Sequence, residues 1–196
     1  RHWPAARSRG EPMSARRMFT VGVDALVEAA VPVSFSRVGF ETRRRLFGWD
    51  DLASTDLTGR IIVVTGATSG LGFAAASRLA ALGASVELVG RDPLRTRAAR
   101  DRIAAAAGNE SLTVGLADLS SLASTRRYAD DLLTRHRRLD VLVHNAGALA
   151  TTFERSDEGL EVTVAAHVVG PFLLSALLLP LLGATPDARV LTVSSG

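Results

Sequence analysis

The sequence predicts an α/β fold of the doubly wound type, a parallel sheet with helices on both faces (Rossmann fold). From residue 59 onward, short apolar runs alternate with helical segments at the spacing of about 30 residues that βαβ units have. The first run, Ile61–Val64, is apolar and β-branched at every position, which is typical of a strand buried on both faces of a parallel sheet. A glycine-rich turn separates this strand from the next helix.

Strands and helices are predicted in strict alternation. The predicted strands are Ile61–Val64, Ser85–Val89, Leu112–Leu116, Val141–Val143 and Arg189–Ser194. The predicted helices are Gly70–Leu82, Pro93–Ala107, Ser120–Arg138 and, for most of its length, Glu158–Leu182. Gly83 and Gly108 are placed to end two helices, since glycine adopts the left-handed conformation of a C-terminal cap. Ser120 or Ser121 is placed to cap the third helix.

The chain before residue 59 has a different character. Residues 1–17, with five arginines and two prolines, are predicted to be a disordered leader, and residues 18–58 a helical extension of the Rossmann domain at 59–196. The apolar side chains Phe35, Val38, Leu46 and Trp49 recur at helical spacing, which indicates an amphipathic helix. This helix either packs on the following domain or lies on an anionic membrane surface.

The composition excludes several classes of protein. All 23 basic residues are arginines and there is no cysteine, which excludes disulfide scaffolds, thiol nucleophiles and cysteine-ligated metals. The four histidines show no ligand spacing, so no metal site is expected. Residues 1–50 carry nine arginines and five acids, whereas the remainder carries fourteen and fifteen. A nearly neutral domain argues against nucleic-acid binding, and arginine without lysine is typical of proteins from GC-rich bacteria.

Two further segments bear on location and assembly. The apolar stretch at 21–33 is interrupted by Asp24, Glu28 and Pro32, so it is no signal peptide and a cytoplasmic protein is expected. The apolar segment Val168–Leu182 is shorter than the roughly 20 residues that span a bilayer. It is expected to lie between the sheet and a partner subunit, as in a homo-oligomer.

The turn Thr65–Gly72 reads T-G-A-T-S-G-L-G. Between a strand and a helix, such a turn brings unpaired backbone N–H groups and the positive end of the helix dipole to an anion. A P-loop requires a lysine, which the chain lacks, and Ser69 does not stand in the G-x-S-x-G of a hydrolase elbow. A dinucleotide is the remaining ligand. Its pyrophosphate is assigned to Gly66, Thr68, Ser69, Gly70, Leu71 and Gly72.

The end of the second strand bears on the choice of cofactor. NAD(H) sites usually place a carboxylate here, on the adenosine ribose. This sequence has Gly90 followed by Arg91, and a guanidinium binds a 2′-phosphate that a carboxylate would repel. NADP(H) is therefore favoured over NAD(H).

These motifs together resemble those of the short-chain dehydrogenase/reductase family. The turn is similar to the family's T-G-x-x-x-G-x-G, and Asp118–Leu119 follows the third strand. His144–Gly147 resembles N-N-A-G, with histidine first, and Ser194–Ser195 ends the fifth strand. The resemblance implies an oxidoreductase that interconverts a small carbonyl compound and an alcohol by hydride transfer.

The resemblance also implies roles for particular residues. Asp118 and Leu119 would bind the adenine, Asn145, Ala146 and Gly147 the ribose and nicotinamide side, and Ser195 the substrate oxygen. His167 stands where the family has the asparagine of N-x-x-G; it either holds a proton-relay water or is a core histidine.

The family's Tyr-x-x-x-Lys centre follows the serine and is absent from these residues. Tyr128 has Leu132, not lysine, four places later. A phenol, with a pKa of about 10, needs a nearby ammonium to exchange protons near neutrality. The sequence is therefore expected to be a fragment that ends after the fifth strand, leaves that strand's edge unpaired and does not catalyse the reaction. A non-catalytic NAD(P)-binding sensor is the alternative, and a Tyr-x-x-x-Lys motif beyond Gly196 would exclude it.

Overall fold

The computed structural model describes residues 37–47, 55–147 and 152–194. The chain divides into two compact units, Arg1–Ser54 and Thr55–Gly196. In the first unit the structure describes one helix, α1, Arg37–Phe47. Val38 is exposed on α1 and Leu46 is partly buried. The predicted leader, Phe35 and Trp49 lie outside the described residues.

The second unit contains a parallel sheet. Its strands in the described residues are β1 Ile61–Thr65, β2 Ser85–Gly90, β3 Leu112–Leu116, β4 Val141–His144 and β5 Arg189–Thr192. Their spatial order is β3-β2-β1-β4-β5, and every neighbouring pair is parallel. The order reverses direction at β1, so the carboxyl ends of β1 and β4 border a switch point, where doubly wound proteins bind their ligands. The predicted fold class is confirmed.

Helices cover both faces of this sheet. They are α2 Gly70–Ala81, α3 Pro93–Ala107, α4 Leu122–Arg135, α5 Val162–Val164, a π-helix at Ala165–Val169, α6 Gly170–Leu177 and α7 Leu179–Gly183. On β1, Ile62 and Val64 enter the core beneath α2 and α3, whereas Val63 enters the core beneath α4 and α6. Both faces of β1 are therefore buried, which explains why its sequence is apolar without alternation.

Local caps set several helix ends as predicted. Gly83 and Gly108 follow α2 and α3 with φ of +88° and +60°, values at which a side chain is strained. At the start of α3, the Asp92 carboxylate accepts a hydrogen bond from the Arg95 N–H at 2.9 Å. Ser121, one of the two serines considered, caps α4 by accepting from the Ser124 N–H at 3.3 Å.

The prediction of one continuous helix over most of Glu158–Leu182 is wrong, because the structure has several shorter helical segments there. It begins at Val162 because the Glu161 carboxylate caps the free N–H groups of Thr163 and Val164, at 3.0 and 2.7 Å. A π-turn follows at Ala165–Val169. The helix breaks again at Leu178, because the proline ring two residues later prevents a regular helical continuation.

Smaller boundary differences occur elsewhere. Helix α4 begins at Leu122 and ends at Arg135, three residues before the predicted Arg138, because His136 is extended (φ −123°, ψ 152°). Strand β5 ends at Thr192 and not at Ser194. Strands β1, β2 and β4 are each one residue longer than predicted.

Two buried carboxylates connect the sheet to its surroundings. Glu87, inside β2, accepts two hydrogen bonds from the Arg135 guanidinium, each at 2.8 Å. Asp140 accepts from Arg60 at 2.8 Å and from the Ile61 N–H at 2.9 Å. Burying a charge is costly unless it is paired and hydrogen-bonded, and both carboxylates meet this requirement. Both are therefore structural.

Strand β5 and the helices before it expose apolar side chains. Val190 and Leu191 of β5 are exposed, as are Val168, Phe172 and Leu179. In the part of the chain that the structure describes, no helix has the length and apolarity to cross a membrane.

Candidate functional site

A cleft of about 460 Å³ opens at the carboxyl ends of the strands. It brings together eleven of the twelve residues predicted to bind the dinucleotide. They are Gly66, Thr68, Ser69, Gly70, Leu71, Arg91, Asp118, Leu119, Asn145, Ala146 and Gly147. Arg95, Ala117 and Ala166 complete the lining and were not predicted.

The turn after β1 requires glycine at its first position. Gly66 has a φ of +67°, and a Cβ there would lie 2.7 Å from the Cα of Ala146. The Gly66 N–H donates to the carbonyl oxygen of Val89 at 2.9 Å, so the turn is also tied to β2. These contacts hold the turn against the ends of two strands and direct the chain into α2.

The N-terminus of α2 presents unpaired amides to the cleft. Ser69 is its N-cap residue, but the Ser69 hydroxyl makes no capping hydrogen bond, and no acidic residue lies in the first turn. An α-helix leaves its first amide groups without partners inside the helix and carries a partial positive charge at that end. With Ser69, Gly70 and Leu71 on the cleft wall, this part of the cleft is suited to an anion.

Gly72 lies behind the cleft, in contrast to its predicted role in binding pyrophosphate. It is buried, and a Cβ there would lie 2.3 Å from the Asn145 side-chain nitrogen and 2.4 Å from the Gly66 carbonyl oxygen. Its place in the structure is thus the close packing of α2 against the turn.

A hydrogen-bond network joins the ends of β1 and β4 beneath the turn. The Thr65 hydroxyl donates to the Val143 carbonyl oxygen at 3.2 Å and accepts from the N–H groups of Asn145 and Ala146, each at 3.1 Å. The Asn145 amide nitrogen in turn donates to the Thr65 carbonyl oxygen at 3.1 Å. Thr65 was missed as a site residue, although a polar residue at the end of an apolar strand was a usable signal.

The loop after β3 forms another wall. The Asp118 carboxylate accepts hydrogen bonds from the backbone N–H and hydroxyl of Ser120, at 2.9 and 2.6 Å, and this fixes its orientation. The neighbouring Leu119 is buried. A Cβ at Gly170 would lie 2.2 Å from the Leu119 carbonyl oxygen, so glycine at the start of α6 allows this helix to approach the loop.

His167 lies on the π-helix beside the cleft. Its Nδ1 is 2.8 Å from the Thr163 carbonyl oxygen, which makes Nδ1 the protonated nitrogen. Its Nε2 lies 3.0 Å from the position that a Cβ at Gly147 would take. Since the side chain is exposed, the alternative of a core histidine is wrong.

The other groups considered for catalysis have different positions. Ser195 lies outside the described residues. Tyr128 is 4% exposed, and burial together with the nearby Glu87 carboxylate raises the pKa of its phenol well above the usual value. A phenol in this environment stays protonated and has no access to a substrate. The described ranges contain no group of three or more potential metal-ligating residues.

His144 supports the site from behind. It is 5% exposed, and its Nε2 lies 2.7 Å from the Ser175 hydroxyl, which itself donates to the Pro171 carbonyl oxygen at 2.9 Å. The hydroxyl therefore accepts from Nε2–H, and the buried Nδ1 is left without a hydrogen-bond partner. Burial lowers the pKa of His144 below its usual value of 6.5.

The family profile described as short chain dehydrogenase matches residues 60–196. The chain belongs to the short-chain dehydrogenase family. Its relatives in this family include dehydrogenase/reductase SDR family member 12 of Bos taurus, 35% identical over 162 residues that cover 83% of this chain and 50% of that protein. Member 13 of Homo sapiens is 41% identical over 140 residues, 71% of this chain and 37% of that protein.

A solved structure from Escherichia coli CFT073, assigned to the short-chain dehydrogenases and complexed with NADPH, also resembles this chain. The TM-score is 0.62 at 30% identity, over 71% of this chain and 60% of that one. The chain spans about half the length of the bovine relative. Segments 37–49, 159–161 and 189–196 predict the branch of member 12, and the matching relatives include both member 12 and member 13.

The turn supplies a first prediction. Gly66→Ala is expected to lower the free energy of unfolding by about 3 kcal/mol, because it adds left-handed strain and an overlap with Ala146. Gly108→Ala is the matched control, since its φ is +60° and nothing lies within 4 Å of its Cβ position. The control is expected to lose about 1 kcal/mol. Equal losses in denaturant titrations would contradict the close approach.

The buried imidazole supplies a second prediction. The unfolded chain protonates His144 at pH values where the native state keeps it neutral, so stability is complete above pH 6.5 and is lost as the pH falls through the native pKa. The melting temperature of the wild type is expected to fall more steeply with decreasing pH than that of His144→Asn. Ser175→Ala keeps the imidazole and is expected to retain the steep slope. Parallel curves for the wild type and His144→Asn would contradict this account.

Proposed function

We propose that the chain is the nucleotide-binding part of an NADP(H)-dependent oxidoreductase that interconverts a small carbonyl compound and an alcohol. One observation carries this proposal. The glycine turn, the unpaired amides of α2 and the Arg91 side chain all line the same cleft. The glycine turn and the amides of α2 can donate hydrogen bonds to a diphosphate, and the Arg91 guanidinium can donate to a second phosphate group.

The cleft fits an extended dinucleotide. The turn and the first amides of α2 hold the pyrophosphate, while Arg91 holds the 2′-phosphate. Asp118 and Leu119 contact the adenine on one side of the turn. Asn145, Ala146 and Gly147 line the opposite side, toward the ribose and nicotinamide. The NADPH complex of the Escherichia coli protein supports the choice of cofactor.

Within the oxidoreductase, the bound dinucleotide supplies or accepts the hydride. The protein residues exclude water, orient the substrate and move the proton. Ser195, which follows β5, orients the substrate oxygen. His167 holds a proton on Nδ1 toward the Thr163 carbonyl oxygen, at 2.8 Å. Its imidazole lies beside Gly147, at the nicotinamide end of the cleft, and is assigned the relay water that the family's asparagine holds.

A non-catalytic sensor is the second candidate, and His167 in place of the family's asparagine favours it. Tyr128, on α4, is buried in the core and does not line the cleft. A sensor requires the dinucleotide site alone. Cofactor binding is therefore common to both candidates, and a Tyr-x-x-x-Lys motif beyond Gly196 would separate them.

The exposed apolar residues suggest partners. We propose that Phe172 and Leu179, 75% and 62% exposed, are covered by a second subunit. The exposed Val38 and Phe40 of α1 are proposed to contact an anionic membrane surface, and co-sedimentation with vesicles tests that contact.

Calorimetric titration of the 196-residue chain tests the cofactor assignment. NADPH is expected to bind at least about tenfold more tightly than NADH, since a charge-assisted hydrogen bond contributes about 1.5–3 kcal/mol. Arg91→Gln is expected to remove most of this preference. Arg78→Gln, on the exposed face of α2, is the control and is expected to preserve it. Absence of binding by both nucleotides would refute the proposed function.

Turnover tests the expected lack of catalysis in these residues. The 196-residue chain holds no lysine, and its one phenol is buried, so the rate of NADPH oxidation with carbonyl substrates is expected to equal the rate without protein. The loss of NADPH absorbance at a saturating cofactor concentration measures this. A rate proportional to protein concentration would show that a different proton donor operates.

A further inference from the structure

Two arginines line one end of the cleft. Arg91 follows β2, and Arg95 lies four residues later in the first turn of α3; both side chains are exposed and both belong to the cleft wall. Within the described ranges, neither guanidinium forms an ion pair with a carboxylate or a ring contact. The two guanidiniums therefore bring two positive charges to the cleft.

The position of Arg95 is electrostatically unfavourable in the protein alone. The N-terminus of a helix carries partial positive charge, so a cation in the first turn is destabilising. Two other arginines of α3 have partners, since Arg100 pairs with Asp101 at 3.0 Å and Arg102 lies 4.8 Å from the centre of the Phe73 ring. A bound anion would relieve the repulsion at Arg95.

Neither Asp92 nor position 90 offers a carboxylate that could pair with the two guanidiniums. Asp92 lies between the two arginines, but its carboxylate accepts the Arg95 N–H at 2.9 Å and caps α3. Gly90 has no room for a side chain, because a Cβ would lie 2.4 Å from the Thr96 hydroxyl and 2.8 Å from the Thr68 methyl. The buried Thr96 is fixed by its hydrogen bond to the Asp92 carbonyl oxygen, at 2.6 Å.

We propose that Arg95 is a second ligand of the 2′-phosphate and shares its charge with Arg91. The proposal rests on the NADP(H) binding proposed above and adds a specificity-determining residue to it. A phosphate dianion has three terminal oxygens, enough to accept hydrogen bonds from two planar guanidinium groups. The packing around Gly90 also favours NADP(H) over NAD(H), because it excludes the acidic side chain that would hold a free 2′-hydroxyl.

The test compares NADPH and NADH binding by Arg95→Gln and by Arg97→Gln. Arg97 is exposed on the same helix and does not line the cleft, so its variant is the matched control. Arg95→Gln is expected to weaken NADPH binding by roughly tenfold or more and to leave NADH binding unchanged. Arg97→Gln is expected to change neither, and melting curves should show that both variants are folded.

Several outcomes would overturn this inference. If Arg95→Gln weakens NADPH and NADH equally, Arg95 contacts the adenosine and not the phosphate. If NADPH affinity is unchanged, Arg95 is no ligand. In either case a wild type that prefers NADPH leaves the proposed function intact, whereas a wild type that binds neither nucleotide refutes both proposals.

A second variant separates the effect of the planar guanidinium of Arg95 from the effect of its positive charge. Arg95→Lys keeps the positive charge but presents a single ammonium in place of the planar fork. Its NADPH affinity is expected to lie between those of the wild type and Arg95→Gln. An affinity as low as that of Arg95→Gln at low ionic strength would show that charge on this residue contributes nothing to binding.

Discussion

The hydrogen bonds between Thr65 and Asn145 are the constraint on which the cleft depends. They join the carboxyl ends of β1 and β4 through distances of 3.1 Å and hold the Gly66 turn against Ala146. With the turn in this place, the first residues of α2 line the cleft. Because the donors are fixed before any ligand binds, binding needs little reorganisation of the protein.

The charged residues of the domain divide into two groups with different roles. Glu87 and Asp140 are almost fully buried and each has an arginine partner within 2.8 Å, so they connect helices and loops to the sheet. Arg91 and Arg95 face the cleft instead, near the positive ends of α2 and α3. Carboxylates near them are used as helix caps or bound by local donors, as Asp92 and Asp118 are. The cleft is therefore suited to an anionic ligand.

The region around the π-helix differs in chemistry from the end of the cleft that Arg91 and Arg95 line. Gly170 allows the start of α6 to approach Leu119, and the Glu161 cap fixes where α5 begins. Between them, the π-turn places Ala166 in the cleft wall and His167 beside Gly147. The sequence departs here from the asparagine of the family's motif, so the departure lies beside Gly147, at the edge of the cleft.

The sequence by itself determined the strands, most helix ends and the location of the cleft. Buried strands need runs such as Ile61–Val64, helix ends need residues such as Gly108, and both signals are local. The tertiary structure decided which residues line the cleft. Gly72 and Arg95 show this, since packing behind the turn removes the first from the cleft and the rotation of α3 brings the second into it. Tertiary structure also decided the close approach of α6 to Leu119, because it joins segments distant in the sequence, whereas the break at Leu178 follows from the nearby Pro180.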